Sequence, residues 1–270
     1  MLIAVDKPLE LTSFDIVKRL KHVFPGEKIG HSGTLDPKAT GLMILGIGKG
    51  TKKLNELIGL DKSYQTVIDF SKKSDTRDAG YWEYFEDLLP VREKEQKNPT
   101  PTLIEIETKL SSLIPAHELP LPAFSAKKKE GKRLYQLARK GKTVTETKIM
   151  NIQKFEILEY QFPLLKLSLD VGSGTYIRSI AHRLGEELGI GGILVELRRT
   201  RIGKRDVKTL FEDQSRGTEI QVVDYHMRGQ VGSFKWRMIE ELVFTNNERK
   251  MTRLNKIQLY DSKVELVFDK

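Results

Sequence analysis

One run, Gly30-His31-Ser32-Gly33-Thr34-Leu35-Asp36-Pro37-Lys38-Ala39-Thr40-Gly41, limits the folds open to this chain more than any other stretch. Its glycines reach backbone angles closed to other residues, while Pro37 fixes its own φ and steers Asp36 away from helix. The apolar stretch Leu42-Met43-Ile44-Leu45-Gly46-Ile47-Gly48 follows at once. Together they read as a tightly specified loop that presents Asp36 and leads into a buried strand. A carboxylate held on a shaped loop, beside a histidine and a hydroxyl, can serve as nucleophile or base. Most Asp-Pro pairs simply close turns, and the residues alone leave both roles open.

Around this loop the chain alternates β-patterned and helical segments. Leu2 to Val5 reads as a short buried strand. Thr12-Ser13-Phe14-Asp15 reads as a capping-box start, followed by Ile16, Val17, Leu20 and Val23 at helical spacing and stopped by Pro25-Gly26. Thr51 to Leu60 predicts a helix with Leu54, Leu57 and Ile58 inward. In the stretch that follows, Tyr64, Thr66, Ile68 and Phe70 share one face of a strand, which by pattern makes Tyr64 an ordinary core aromatic. Ser71 to Pro101 is polar and turn-rich, with a short helix at Tyr81 to Leu88, and Thr102 to Leu113 predicts another helix. Leu165, Leu167, Leu169 and Val171 alternate with polar residues as a half-buried strand. Gly172-Ser173-Gly174 then kinks the chain, and Thr175-Tyr176-Ile177-Arg178 feeds a helix with Ile180, Ala181, Leu184 and Leu188 inward and Gly189 at its end. Leu194 to Arg201 is a short apolar element ending in arginines. Strands mixed with capped helices, without regular phosphate-binding βαβ loops, predict an α+β fold.

Charge points to a polyanionic partner. Lys and Arg number 46 against 37 Asp and Glu, a net charge of +9, which favours phosphate neutralisation and electrostatic steering. From Phe124 to Lys142 eight bases (Lys127, Lys128, Lys129, Lys132, Arg133, Arg139, Lys140 and Lys142) face one acid, Glu130, with Phe124, Leu134, Tyr135 and Leu137 between them. Such a run is either a solvated face or an element that grips a nucleic-acid backbone. The chain has no cysteine, which removes disulfides, thiolate nucleophiles and cysteine-ligated metals. Its five histidines show no metal-binding spacing, and no GxxxxGK[ST] phosphate loop occurs. Met1 to Val5 is apolar but reaches Asp6-Lys7 too early for a signal peptide or a membrane span, so a cytoplasmic address is expected.

The string His31 to Gly41 resembles the signature loop of the bacterial-type tRNA pseudouridine-55 synthases, the TruB family, whose consensus reads GTLDPxATG. Further stretches agree in the same order. Val5-Asp6-Lys7-Pro8 with Leu11-Thr12-Ser13 resembles the N-terminal motif, and Lys62-Ser63-Tyr64 with Thr76-Arg77-Asp78 the motif that carries the family's tyrosine. Pro122-Ala123-Phe124-Ser125-Ala126 through Gly131-Lys132-Arg133-Leu134-Tyr135 resembles the RNA-gripping insertion, and Gly174-Thr175-Tyr176-Ile177-Arg178 with Leu197-Arg198-Arg199-Thr200 the last catalytic motif. The chain departs at Glu10, where the family's KPxG step has glycine, at Arg77, where glycine is common, and at Val171-Gly172-Ser173, which replaces a cysteine-serine-lysine.

The resemblance implies the pseudouridine synthase fold: a mixed central β-sheet flanked by helices, with an RNA cleft across it. It implies a catalytic domain over residues 1–212 with the RNA-gripping insertion at about 123–150; residues 213–270 match nothing in the family and have no assigned role. The implied reaction converts a uridine at position 55, in the T loop of tRNA, to pseudouridine, using Asp36 and no cofactor. Tyr64 would stack on the base, Arg178 would pair with the catalytic aspartate, Tyr176 and Leu197 would shape the uracil pocket, and His31 would fill or prop the space the uridine leaves. Lys7 would contact or order the loop, and with Lys127, Lys128, Lys132, Arg133 and Arg139 it is assigned to the RNA. The expected partner is the tRNA T arm, with no protein partner, no membrane and a monomeric state. Two alternatives stay open: a tRNA-binding or folding module with little catalysis, and a synthase for another RNA stem-loop.

Overall fold

The computed structural model describes residues 1–74, 88–90, 100–122, 128–129, 132–133, 146–208, 210, 236–238, 254–260 and 263–268. In chain order its strands are β1 (Leu2–Lys7), β2 (Ile29–His31), β3 (Thr40–Ile47), β4 (Lys62–Asp69), β5 (Lys72–Ser74), β6 (Leu88–Pro90), β7 (Ala116–Pro120), β8 (Lys128–Lys129), β9 (Lys132–Arg133), β10 (Thr147–Gln161), β11 (Leu164–Val171), β12 (Ile193–Ile202), β13 (Arg205–Asp206), β14 (Trp236–Met238), β15 (Leu254–Tyr260) and β16 (Lys263–Phe268). The helices are α1 (Ser13–Val23), α2 (Leu54–Ile58), α3 (Leu103–Ser112) and α4 (Ile177–Glu187). The chain divides into two compact units, Met1–Leu60 with Thr200–Lys270, and Asp61–Arg199. That division falls elsewhere than the expected boundary at residue 212. The helix expected at Tyr81 to Leu88 lies outside the described residues except for Leu88, which begins β6.

In the first unit β3 is central. It pairs antiparallel with β1, from Leu2 opposite Gly46 to Lys7 opposite Gly41, and with β2, where His31 lies opposite Leu45; β14 adds to β1, with Val5 opposite Trp236. The period of two sorts the side chains into two layers. Leu2, Ala4, Leu42 and Ile44 pack with Leu54, Leu57, Ile202 and Val207. Ile3, Val5, Met43, Leu45 and Ile47 pack on the other side with Leu11 and with Ile16, Val17 and Leu20 of α1. Burial on both faces is the reason β3 reads as a continuous apolar run. Its helix α1 begins where expected: Thr12 accepts from the Asp15 N–H while Asp15 accepts from the Thr12 N–H, so two of the orphan N–H groups of the first turn are satisfied.

Residues 51–60 differ from the continuous helix expected there. A 3₁₀ turn over Gly48–Lys53 leads into the single turn of α2. Leu54 and Leu57 point into the core, but Ile58 is 44 % exposed, because so short a helix keeps only its i, i+3 pair on the core side. The tight crossover depends on Gly50, where a Cβ would lie 2.0 Å from the Met1 carbonyl oxygen.

The second unit is built on a long antiparallel ladder. β11 pairs with β4 from Lys62 opposite Val171 to Asp69 opposite Leu164, and β10 pairs with β11 and, through its first residues, with β7. The alternation read in the sequence is the one that is buried: Leu165, Leu167, Leu169 and Val171 on β11, and Tyr64, Thr66, Ile68 and Phe70 on and after β4. Thr66 Oγ1 donates to the Glu196 carbonyl at 2.7 Å, tying β4 to β12. The first seven residues of β12 belong to this unit, so the expected short apolar element at Leu194 to Arg201 is the larger part of a ten-residue strand. α3 starts on a Thr102–Glu105 capping box, and Lys109 on α3 reaches Glu187 on α4 at 3.3 Å. Among the described residues no helix is long and apolar enough to cross a membrane.

Candidate active site

The Asp36 loop leaves β2 and enters β3, and both neighbours of Asp36 are tethered through their backbone. On one side Ser13 Oγ accepts from the Leu35 N–H at 2.8 Å and donates to the Leu35 carbonyl at 3.0 Å. On the other side the Lys7 ammonium donates to the Pro37 carbonyl at 3.1 Å, and also to those of Pro8 and Leu11 at 2.8 and 2.6 Å. The Ala39 N–H closes the turn on the Asp36 carbonyl at 3.0 Å. With its backbone held at residues 35, 36 and 37, the half-buried Asp36 is placed by its loop, the preorganisation that a reacting carboxylate needs. His31 is half-buried on β2, and its Nδ1 accepts from the Gly33 N–H at 3.3 Å, which assigns the neutral ring's proton to Nε2.

Lys7 is a correction to the expected RNA contacts. It is 0 % exposed, and its ammonium is committed to three backbone carbonyls, so it orders the loop from beneath instead of reaching a phosphate. Ser13, quoted in the N-terminal motif but not among the expected site residues, is the other tether. The motif places it on the first turn of α1, whereas the contact it makes spans 22 residues.

Glu10 explains the departure at the family's glycine position. It takes a φ of +67°, the left-handed region, and is the one residue other than glycine to do so among the described residues. This costs a residue with a Cβ about 1 kcal/mol. Its carboxylate lies 3.4 Å from the ammonium of Lys38.

The second unit gathers the remaining expected residues on three elements. Tyr64 lies on β4 opposite Leu169 and is 8 % exposed. Leu197 is half-buried on β12, next to the Glu196 carbonyl that Thr66 holds. Tyr176 caps α4 and is half-buried, with its N–H directed at Met150 Sδ at 3.3 Å, and Arg178 is buried in the helix's first turn. The turn before α4 is tied down: the Lys148 ammonium donates to the Gly174 carbonyl at 2.9 Å, and Ser179 Oγ donates to the Pro120 carbonyl at 2.6 Å. Lys127 and Arg139 lie outside the described residues, and of Lys128, Lys132 and Arg133 the described part is the backbone of a two-strand hairpin, with Lys128 opposite Arg133 and Lys129 opposite Lys132.

Two further buried cations lie in the quoted motifs but were not among the expected site residues. Lys62 begins β4 at 7 % exposure and Arg199 on β12 is 1 % exposed. Burial, with the Arg199 charge adding to it, pushes the Lys62 ammonium down from 10.5 to about 8, against a weaker upward pull from Asp61. Between about pH 8 and 10.5 the unfolded lysine therefore binds more proton than the folded one, so its contribution to stability rises with pH across that window. The expected result is that Lys62→Met loses this rise relative to wild type, checked by thermal midpoints at pH 8 and pH 10.

Comparison with known proteins follows the same lines. Residues 21–177, more than half of the chain, match the TruB family pseudouridylate synthase (N terminal domain) model. The tRNA pseudouridine synthase B of Chlorobium phaeovibrioides (strain DSM 265 / 1930) is 41 % identical over 211 residues, covering 76 % of this chain and 84 % of that protein. The tRNA pseudouridine synthase B of Mycobacterium sp. (strain KMS) is 37 % identical over 213 residues, covering 75 % of this chain and 67 % of that protein. Among solved structures, a chain of a Cbf5-Nop10-Gar1 complex superposes with a TM-score of 0.55 at 26 % identity; the match covers 75 % of this chain and 48 % of that one, so this chain spans about half its length. The fold is that of the pseudouridine synthases, and the chain belongs to the TruB family.

Proposed function

We infer that this chain is a tRNA pseudouridine synthase, the activity for which its curated relatives are named, and that its target uridine lies in the T loop. The single observation that carries the reading is the Asp36 loop, a carboxylate whose two neighbours are pinned through their backbone by Ser13 and Lys7. The reaction breaks the bond between ribose C1′ and uracil N1, turns the base and rejoins it through C5. It is an isomerisation with no net redox change. A base in a folded T loop must first be extruded, at an unstacking cost of a few kcal/mol.

Asp36 is assigned the reacting group, at the sugar or at the base. Tyr64 is assigned to the face of the flipped base, where stacking is worth roughly 1–3 kcal/mol. Arg178 is assigned to orienting the carboxylate, Tyr176 and Leu197 to shaping the uracil pocket, and His31 to the space the nucleotide vacates. Lys127, Lys128, Lys132, Arg133 and Arg139 grip the RNA backbone. The catalytic part is assigned to residues 1–212, and 213–270 to a divergent C-terminal segment. The test is turnover on a T-arm minihelix beside unrelated hairpins of equal length. Modification of the minihelix and background signal on the hairpins are expected; equal modification of both would move the substrate to RNA stem-loops at large.

A further inference from the structure

We propose that Lys38 is a phosphate contact for the RNA substrate and that Glu10 competes with that phosphate, so that the Glu10–Lys38 pair sets how tightly and how salt-dependently the chain binds RNA. The proposal rests on the functional reading above.

Lys38 follows Asp36 by two residues, a separation of at most about 7 Å along the backbone. That span is short enough for a lysine side chain at position 38 to reach a phosphate flanking a nucleotide presented to Asp36. Lys38 is half-buried and its side chain is 36 % exposed; it is held at the surface by one ion pair, at 3.4 Å, to Glu10, whose side chain is 58 % exposed. Lys7, by contrast, is sequestered beneath the same loop on carbonyl groups. Of Lys7 and Lys38, Lys38 is the one whose side chain reaches solvent.

Glu10 is in a backbone conformation that glycine adopts without strain. A strained residue beside a reactive loop calls for a functional account. Here its carboxylate places a negative charge beside the cation that the RNA would use. An exposed ion pair of this kind is weak and easily screened, so it can yield to a phosphate, at the cost of a lower affinity than free Lys38 would give.

The experiment measures binding of unmodified tRNA transcript to the full chain and to Glu10→Gln, Lys38→Met and the double variant, across a series of salt concentrations, with thermal midpoints as the fold control. Glu10→Gln is expected to tighten binding about two- to fivefold at low salt, the range of an exposed ion pair. Lys38→Met is expected to weaken binding and to flatten the log–log salt slope by about one ion. In the Lys38→Met background, Glu10→Gln should have less than half its single-variant effect. An unchanged slope and affinity in Lys38→Met, or equal effects of Glu10→Gln with and without Lys38, would overturn the proposal. Because the readout is binding, it is independent of turnover; a wild-type chain that binds but forms no pseudouridine would count against the functional reading instead.

Discussion

Asp36→Asn is expected to lower pseudouridine formation by about 10⁴-fold or more, at or beyond the upper end of what one acid–base group contributes. Affinity for tRNA should stay within about threefold, less than 1 kcal/mol. Asparagine keeps the size and shape of the side chain and removes its charge. The loop survives the change because its tethers act on the backbone: Ser13 holds the Leu35 N–H and carbonyl, Lys7 holds the Pro37 carbonyl, and Ala39 holds the carbonyl of residue 36. Loss of turnover with intact binding thus isolates the carboxylate from the architecture. Single-turnover assays with excess enzyme and filter binding of the same transcript separate the two quantities. A variant that turns over at the wild-type rate would remove Asp36 from the chemistry.

Lys7→Met is expected to destabilise the chain by about 3 kcal/mol, since a hydrogen bond from a charged group contributes roughly 1.5–3 kcal/mol and three of them share one ammonium. For a chain of this size that loss lowers the thermal midpoint by about 6–12 °C. Methionine matches the aliphatic stem, so little packing is lost. What is lost is the partner of the Pro8, Leu11 and Pro37 carbonyls around a fully buried site. Turnover should fall as well, because the Pro37 carbonyl no longer fixes the far side of Asp36. Calorimetry or circular dichroism checks the first effect; an unchanged midpoint would show that the buried ammonium is not a tether.

What could be read from the sequence divides by the range of the interaction. The Thr12–Asp15 capping box and the alternating face of Leu165 to Val171 were legible because a cap acts over three residues and a strand face over two. Ile58 misled because a run of apolar residues at helical spacing does not disclose that the helix lasts one turn. For Lys7 the resemblance pointed to its place at the loop but not to its burial, because the carbonyl of Pro37 that helps to bury it lies 30 residues away. The same holds for Ser13 and Leu35, 22 residues apart. The resemblance pointed to Asp36, Tyr64, Tyr176, Arg178 and Leu197 as a set, but local pattern made Tyr64 a core aromatic, and burial agrees with that pattern without assigning a role. Glu10 showed only as a mismatch to the family's glycine, and its backbone angle supplies the physical reason.

The most direct measurement is to incubate the purified chain with unmodified transcribed tRNA and map pseudouridine by carbodiimide treatment and reverse transcription, with Asp36→Asn alongside. A single stop in the T loop that disappears in the variant is the predicted result. Binding of the tRNA with no stop at any position would contradict the central claim and leave a module that holds RNA without modifying it.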